Sequence, residues 1–227
     1  MDISQVVDLL GRTELFGALD EPTRQRIAVG ATQIAFAKGR TIFVQDEPGD
    51  RMFVLAKGAV KLLVRSRHGE IVELARHWPP AVFGQIALLD HGPRSASAEA
   101  IEASLLLGIT RDQLIDLLQS DHRLVDGLLR SLGQLVRRAN RQTTDLVFLD
   151  LQGRVARKLL ELADMPEDGG TLHHRHFTQT ELAHMVGGAR QTVNLALRAL
   201  EERGLIRVSS GGIEILELEK LRRRVEA

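Results

Sequence analysis

The spacing of hydrophobic positions changes several times along this 227-residue chain. Residues Ile3–Leu10 and Glu21–Ala28 have the periodicity of short helices. From Gln33 the texture turns to short β-rich runs: Gln33–Ala37, Thr41–Val44, Met52–Ala56, Ala59–Arg65, Val72–His77, Ser97–Ala100 and Ser104–Ile109. Lys38-Gly39, Pro48-Gly49-Asp50, Lys57-Gly58, His68-Gly69, Pro79-Pro80 and His91-Gly92-Pro93 punctuate them. Many short strands at near-regular spacing predict a sandwich or jelly roll. Helical spacing returns over Arg111–Leu118, and then over a long stretch from Arg123 to about Leu149. In that stretch Val125, Leu128, Leu132, Leu135, Ala139, Leu146 and Leu149 alternate steps of three and four, with Gln142 filling one gap of seven. This heptad seam predicts a helix that pairs with a second copy. Leu129 and Val136 widen the stripe, so packing on the chain's own β domain is the alternative.

The pattern in Phe177 to Ile215 predicts a short helix, a glycine turn, a longer helix and two short strands. Thr178 and Glu181 have the spacing of a capping box. Leu182, Ala183 and Val186 form one apolar stripe, and Gly187-Gly188 can take the positive φ that ends the helix. The next helix places Val193, Ala196, Leu197 and Leu200 on a buried face. Arg190, Gln191 and Asn194 fall on the other face near its start. Arginine pairs with guanine O6 and N7, and Gln or Asn with adenine N6 and N7. Gly204 stops this helix. Ile206-Arg207-Val208 and Ile213-Glu214-Ile215 flank the turn-rich tip Ser209-Ser210-Gly211-Gly212, suited to a phosphate backbone. The whole reads as a helix-turn-helix with a wing. An αα-hairpin packed inside a larger protein is the plainer alternative.

Composition narrows the choices. The chain is too long for a winged helix alone, and 44% hydrophobic residues allow a second core. Formal net charge is +0, so attraction to nucleic acid must come from local patches such as Arg190, Arg198, Arg203 and Arg207. Cysteine is absent, which excludes disulfides, cysteine-ligated zinc and a cysteine-bound iron–sulfur cluster. No apolar run approaches the roughly 20 residues of a membrane span. Met1-Asp2-Ile3-Ser4-Gln5 has no basic segment of the kind that opens a signal peptide, so a cytoplasmic protein without membrane partners is expected.

The phosphate-binding candidate runs from Phe83 to Ala96. Gly84 can bring backbone close to a ligand, and Gln85, Ile86 and Ala87 can begin a helical turn whose free N–H groups attract an anion. Arg94 offers a planar fork to a phosphate, and Ser95 a hydroxyl. Gln85 can donate to or accept from a sugar hydroxyl. Asp46, Glu47, Glu70, Asp90 and His91 show no nucleophile elbow, Walker loop or metal-ligand spacing, so no enzyme is expected.

Taken together, these segments resemble the cyclic-AMP receptor protein/FNR family of bacterial transcription factors over almost the whole length. The matching pieces are Pro48-Gly49-Asp50-Arg51 through Gly58-Ala59-Val60, Phe83-Gly84 through Arg94-Ser95-Ala96, Phe148-Leu149-Asp150 with Gly153-Arg154-Val155-Ala156, and Val186-Gly187 through Arg190-Gln191-Thr192-Val193. The resemblance implies an α+β protein: an N-terminal cyclic-nucleotide-binding β-roll (jelly roll) over residues 1–120, a long dimerisation helix over 121–149, and a C-terminal winged helix-turn-helix over 150–227. It implies a homodimer on a palindromic operator, contact with RNA polymerase, and an effector in the β-roll that repositions the DNA-binding domains. Two recognition helices would then enter successive major grooves roughly 34 Å apart.

The chain departs from the family pattern at both ends. Cyclic-AMP binders usually carry Glu at the position of Gln85, accepting from the ribose 2′-OH. On the central helix Ala139-Asn140 stands where Thr followed by Ser or Asn reaches the adenine, which leaves Asn140 to read the base. The resemblance therefore implies cyclic AMP as leading effector, with cyclic GMP, a cyclic dinucleotide or no ligand as alternatives. A nucleotide sensor acting through protein contacts is a further reading. No haem or metal is expected. His68, His77 and His91 sit beside turns and read as surface residues, and His173-His174 with His176 reads as a polar edge. The familiar recognition helix has Arg-Glu-Thr-Val followed two residues later by Arg, whereas this chain has Arg190-Gln191-Thr192-Val193 and then Leu195. Thr178, Gln179, Thr180, Thr192, Ser209 and Ser210 are the phosphate-contact candidates.

Overall fold

A computed structural model describes residues 1–163, 177–209 and 212–226. The chain divides into two compact units, Met1–His68 with Leu74–Arg137 and Gly69–Glu73 with Arg138–Ala227. It begins with α1 (Ile3–Gly11) and α2 (Glu21–Gly30). The strands β1 (Thr32–Phe36), β2 (Thr41–Phe43), β3 (Arg51–Lys57), β4 (Val60–Arg65), β5 (Ile71–His77) and β6 (Ala81–Phe83) follow. Next come α3 (Ile86–Asp90), β7 (Ser97–Ala100), β8 (Ser104–Thr110), α4 (Arg111–Ser120) and the long α5 (His122–Phe148). The remaining elements are α6 (Leu151–Ala163), α7 (Gln179–Val186), α8 (Arg190–Glu202), β9 (Ile206–Ser209), β10 (Gly212–Ile215) and α9 (Leu218–Glu226).

In the first unit two antiparallel sheets, ordered β1-β8-β3-β6 and β2-β7-β4-β5, form the roll. β3 is buried on both faces, which is why Met52–Ala56 is a continuous apolar run rather than an alternating one. Successive side chains point to opposite faces of a strand. Phe53 and Leu55 accordingly join Val60, Phe83, Ala98 and Leu106 between the sheets. Met52 and Val54 face outward, with Leu107 and Ile109 of β8, into a second cluster. That cluster is completed by α1, α2, α4 and the start of α5, through Leu9, Leu10, Phe16, Ile27, Leu114, Leu124 and Leu128. α5 approaches the α1–α2 connection closely at Gly127, where a Cβ would lie 2.6 Å from the Leu15 carbonyl oxygen. Thr110 and Gln113 cap α4 reciprocally.

In the second unit α6, α7, α8, the β9–β10 hairpin and α9 share a core of Val155, Leu159, Leu182, Val193, Leu197, Leu200, Ile206, Ile213 and Leu221. β6, α6 as a separate helix, and α9 go beyond the elements read from the sequence. β6 is only three residues long and follows Pro79-Pro80, so it carries too little pattern to announce itself. α6 is separated from α5 by Leu149-Asp150, where the Asp150 carboxylate accepts from the Gly153 N–H at 2.7 Å. His173, His174 and His176 lie outside the described residues, as do Ser210 and Gly211.

Candidate effector pocket and nucleic-acid interface

The roll brings Gly84, Gln85, Ile86, Ala87, Arg94 and Ser95 into one loop–helix–loop segment between β6 and β7. Gly84 has φ +80, which an L side chain rarely adopts, and a Cβ there would meet Arg94 Nη1 at 2.9 Å. Gln85 is buried at 8% exposure, Ala87 is buried and Ile86 is half-buried. Ser95 is exposed. The main chain of Arg94 is locked by the facing loop: its N–H donates to Glu47 O at 2.8 Å, and its carbonyl accepts from Asp46 N at 2.9 Å.

The Arg94 side chain is 3% exposed. Nη1 donates to Gly84 O at 2.8 Å and Nη2 to Arg51 O at 2.7 Å. The guanidinium carbon lies 4.2 Å from the Phe43 ring centroid, and Phe43, Phe53 and Phe83 form a cluster with centroids 5.6 to 6.1 Å apart. Nε is buried with no hydrogen-bond partner among the described residues. No described carboxylate is within ion-pair distance of this guanidinium. Burial lowers its pKa below the ordinary arginine value, with the nearby Asp50 charge opposing that and Arg51 adding to it. A buried cation held by neutral carbonyls and an aromatic face, with the Asp50 and Glu47 charges nearby but not in contact, still lacks a paired counter-charge. Gly49 completes the space, since a Cβ there would meet Arg94 Nε at 3.0 Å and the Ala87 Cβ at 2.6 Å. The sequence marked Pro48-Gly49-Asp50 as a turn and as part of a family-like segment, and nothing local showed that Gly49 makes room for Arg94.

A cleft of about 260 Å³ adjoins this loop, lined by Asp46, Pro48, Gly49, Ala87, His91, Gly92, Pro93 and Arg111. His91 sits in it against the Arg111 guanidinium. His77 differs from the surface reading: it is half-buried, its ring stacked on Phe83 at 5.9 Å. Asn140 is exposed on α5, in the second unit.

The second unit builds the helix-turn-helix as its capping residues dictate. Thr178 Oγ1 accepts from Glu181 N at 3.1 Å, and Glu181 Oε2 accepts from Thr178 N at 2.8 Å. Gly187 ends α7 at φ 64. Arg154 on α6 donates to Val186 O at 3.1 Å, satisfying a carbonyl at the end of α7. Thr178 and Thr180 are exposed and Gln179 is half-buried. Arg190, Gln191 and Thr192 are exposed at the start of α8, and neither Arg190 nor Gln191 has a partner among the described residues. Asn194 is half-buried, with Oδ1 shielded and unpartnered, so it is less open to a groove than its neighbours. In the wing, β9 pairs with β10 in register Ser209↔Gly212 to Ile206↔Ile215. Arg207 is engaged with Glu214 at 2.8 Å, which reduces the positive charge expected of it. Ser209 Oγ donates to Gly212 O at 3.2 Å. No described helix is long and apolar enough to cross a membrane.

Comparison with known proteins matches this architecture. Residues 33–121 match the cyclic nucleotide-binding domain family, and residues 153–224 match the Crp-like helix-turn-helix domain family. The chain is 34% identical over 220 residues to the CRP-like cAMP-activated global transcriptional regulator of Mycobacterium tuberculosis, covering 96% of this chain and 98% of that protein. It is 30% identical to a solved CRP/FNR-family transcriptional regulator from Thermus thermophilus, with a TM-score of 0.71 over 86% of this chain and 99% of the other. A c-di-GMP-responsive global regulator of Xanthomonas campestris shares the fold at 19% identity and a TM-score of 0.76, over 86% of this chain and 99% of that one. With a buried arginine in a cyclic nucleotide-binding roll and a helix-turn-helix presenting free polar side chains, the chain belongs to the CRP-like family of transcriptional regulators.

Proposed function

We propose that this chain is a homodimeric, sequence-specific DNA-binding regulator controlled by a cyclic nucleotide phosphate held at Arg94. The observation that carries the reading is Arg94 itself: a fully buried guanidinium with an unpartnered Nε and no carboxylate in contact among the described residues. A phosphate supplies the missing charge. Around it, the N–H groups of Gly84 to Ala87 and the Ser95 hydroxyl would hold the phosphate, Gln85 the sugar, and Asn140 the base. Cyclic AMP is the leading effector, supported by the cAMP-activated relative from Mycobacterium tuberculosis.

The output end follows from α8. Arg190 reads guanine and Gln191 adenine, with Asn194 beside them. Thr178, Gln179, Thr180, Thr192, Ser209 and Ser210 contact phosphates and set the register. Residues 1–120 bind the effector, 121–149 form the dimer seam and 150–227 bind DNA. Of the seam positions, Leu128 is buried in the roll's own cluster and Leu132 packs against it, so support for the seam comes from the later part of the helix, where Leu135 is 39% and Leu146 59% exposed, with Val136 beside them at 58%. RNA polymerase is the partner on DNA, and the protein acts in the cytoplasm. Calorimetry with cyclic AMP, cyclic GMP and cyclic di-GMP tests the input. One of them binds with micromolar or tighter affinity and raises Tm according to its concentration over Kd. No binding by any of the three refutes the effector reading. Sedimentation checks the dimer, which a concentration-independent monomer mass would refute.

A further inference from the structure

α8 buries Val193, Ala196, Leu197 and Leu200. The opposite stripe carries Gln191, Leu195, Arg198 and Glu202, spaced by four, three and four residues and all exposed. Leu195 is 63% exposed in the middle of this polar stripe. A single surface leucine is ordinary on most helices. This one sits a turn beyond Gln191 on the surface that, under the proposed function, enters the major groove. Its isobutyl group cannot hydrogen-bond a base edge or a phosphate. Its neighbour Asn194 is half-buried with Oδ1 shielded, so Leu195 is the open side chain at this level of the helix.

The major-groove edges of the base pairs offer one apolar feature, the C5-methyl of thymine. We propose that Leu195 is a specificity-determining residue that reads a thymine methyl in each half-site, next to the bases read by Arg190 and Gln191. A G·C pair at that position would have its guanine acceptors or cytosine amine desolvated against leucine without a partner, which disfavours it. The assignment rests on the proposed DNA-binding function and adds the chemistry of one base pair to it.

The test uses the full-length protein and random duplexes, selected separately with cyclic AMP, cyclic GMP, cyclic di-GMP and no nucleotide. Each thymine of the enriched duplex is then replaced singly by deoxyuridine, which removes only the methyl, and affinity is read by anisotropy at fixed salt. One thymine position per half-site should lose roughly fourfold in affinity, the value of one buried methyl group. Leu195→Ala should bind that duplex more weakly and no longer distinguish thymine from uracil. Because Leu195 lies outside the core, this variant should melt as wild type. Tolerance of uracil at every position, or an unchanged thymine-to-uracil ratio in Leu195→Ala, overturns the assignment and leaves specific DNA binding intact. Enrichment of no duplex under any condition defeats the proposed function, and this assignment with it.

Discussion

Arg94 and Arg190 place the same side chain in opposite settings. Arg94 is 3% exposed, with two donors committed to the main-chain carbonyls of Gly84 and Arg51. Arg190 is exposed at the start of α8 and has no partner among the described residues. The first is held by the fold before any ligand arrives, so little side-chain freedom remains to be lost on binding. That preorganisation ties ligand recognition to stability, because the carbonyls that hold the arginine depend on it. The second must lose its rotamer freedom at the DNA, and in exchange it can be changed without disturbing the core. The effector site is therefore coupled to folding, and the DNA surface is not.

Substitutions can break this contrast. Arg94→Met should have the largest effect. It removes the charge that pairs with a phosphate and leaves the Gly84 and Arg51 carbonyls without donors. Nucleotide affinity should fall about 100-fold or more by calorimetry, and stability by about 1–3 kcal/mol in urea melts. Wild-type values in both would show that the buried arginine is neither grip nor scaffold. Arg190→Ala should reduce operator affinity roughly 5- to 150-fold per half-site in an anisotropy titration while leaving Tm unchanged. A matching fall in stability would erase the distinction between the two arginines.

Smaller changes sharpen it. Gly84→Ala forces an L residue to φ +80 and brings a Cβ within 2.9 Å of Arg94 Nη1. The backbone strain alone should cost about 1–2 kcal/mol in a urea melt, together with a loss of nucleotide affinity. An unchanged melt would mean that the turn relaxes freely. Asp150 gives the smallest effect, in the DNA-binding unit. Its carboxylate caps Gly153 N at 2.7 Å and pairs with Arg224 at 2.5 Å. The Gly153 bond is the main reason its pKa is lowered, with Arg224 adding to it. A lowered folded-state pKa stabilises above the ordinary aspartate value and loses that contribution as pH falls through the folded one. Asp150→Asn should therefore cost about 0.5–1 kcal/mol at pH 7, and the difference from wild type should shrink below about pH 4. A constant difference down to acid pH would exclude the carboxylate as its source.

Much of the helix-turn-helix was legible because its signals are local. Thr178 and Glu181 close a capping box within one turn, and Gly187 takes the positive φ that its place between two helices requires. The buried face of α8 follows from a 3.6-residue period. The roll was legible as a set of strands; that β3, read only as a short β run at Met52–Ala56, is covered on both faces came from the structure. Other features were not legible. α9 is a short, highly charged helix, held by a core residue, Leu221, and by an Arg224–Asp150 pair 74 residues apart in the chain. His77 sat beside a turn and read as a surface residue, and its ring stacks on Phe83 at the end of β6.

Short-range patterns in this chain were enough to settle the type of most elements, the cap of α7 and which face of α8 is buried. Each depends on residues within one or two turns of one another, where periodicity and φ preferences act directly. The environment of Arg94 could not be read that way. Its carbonyl partners lie 10 and 43 residues away, and its aromatic neighbour Phe43 lies on β2. Burial, desolvation and a missing counter-charge are properties of volume, and the packed roll alone creates them. Leu195 shows the reverse: its identity is local, but its meaning depends on the polar stripe that folding places around it.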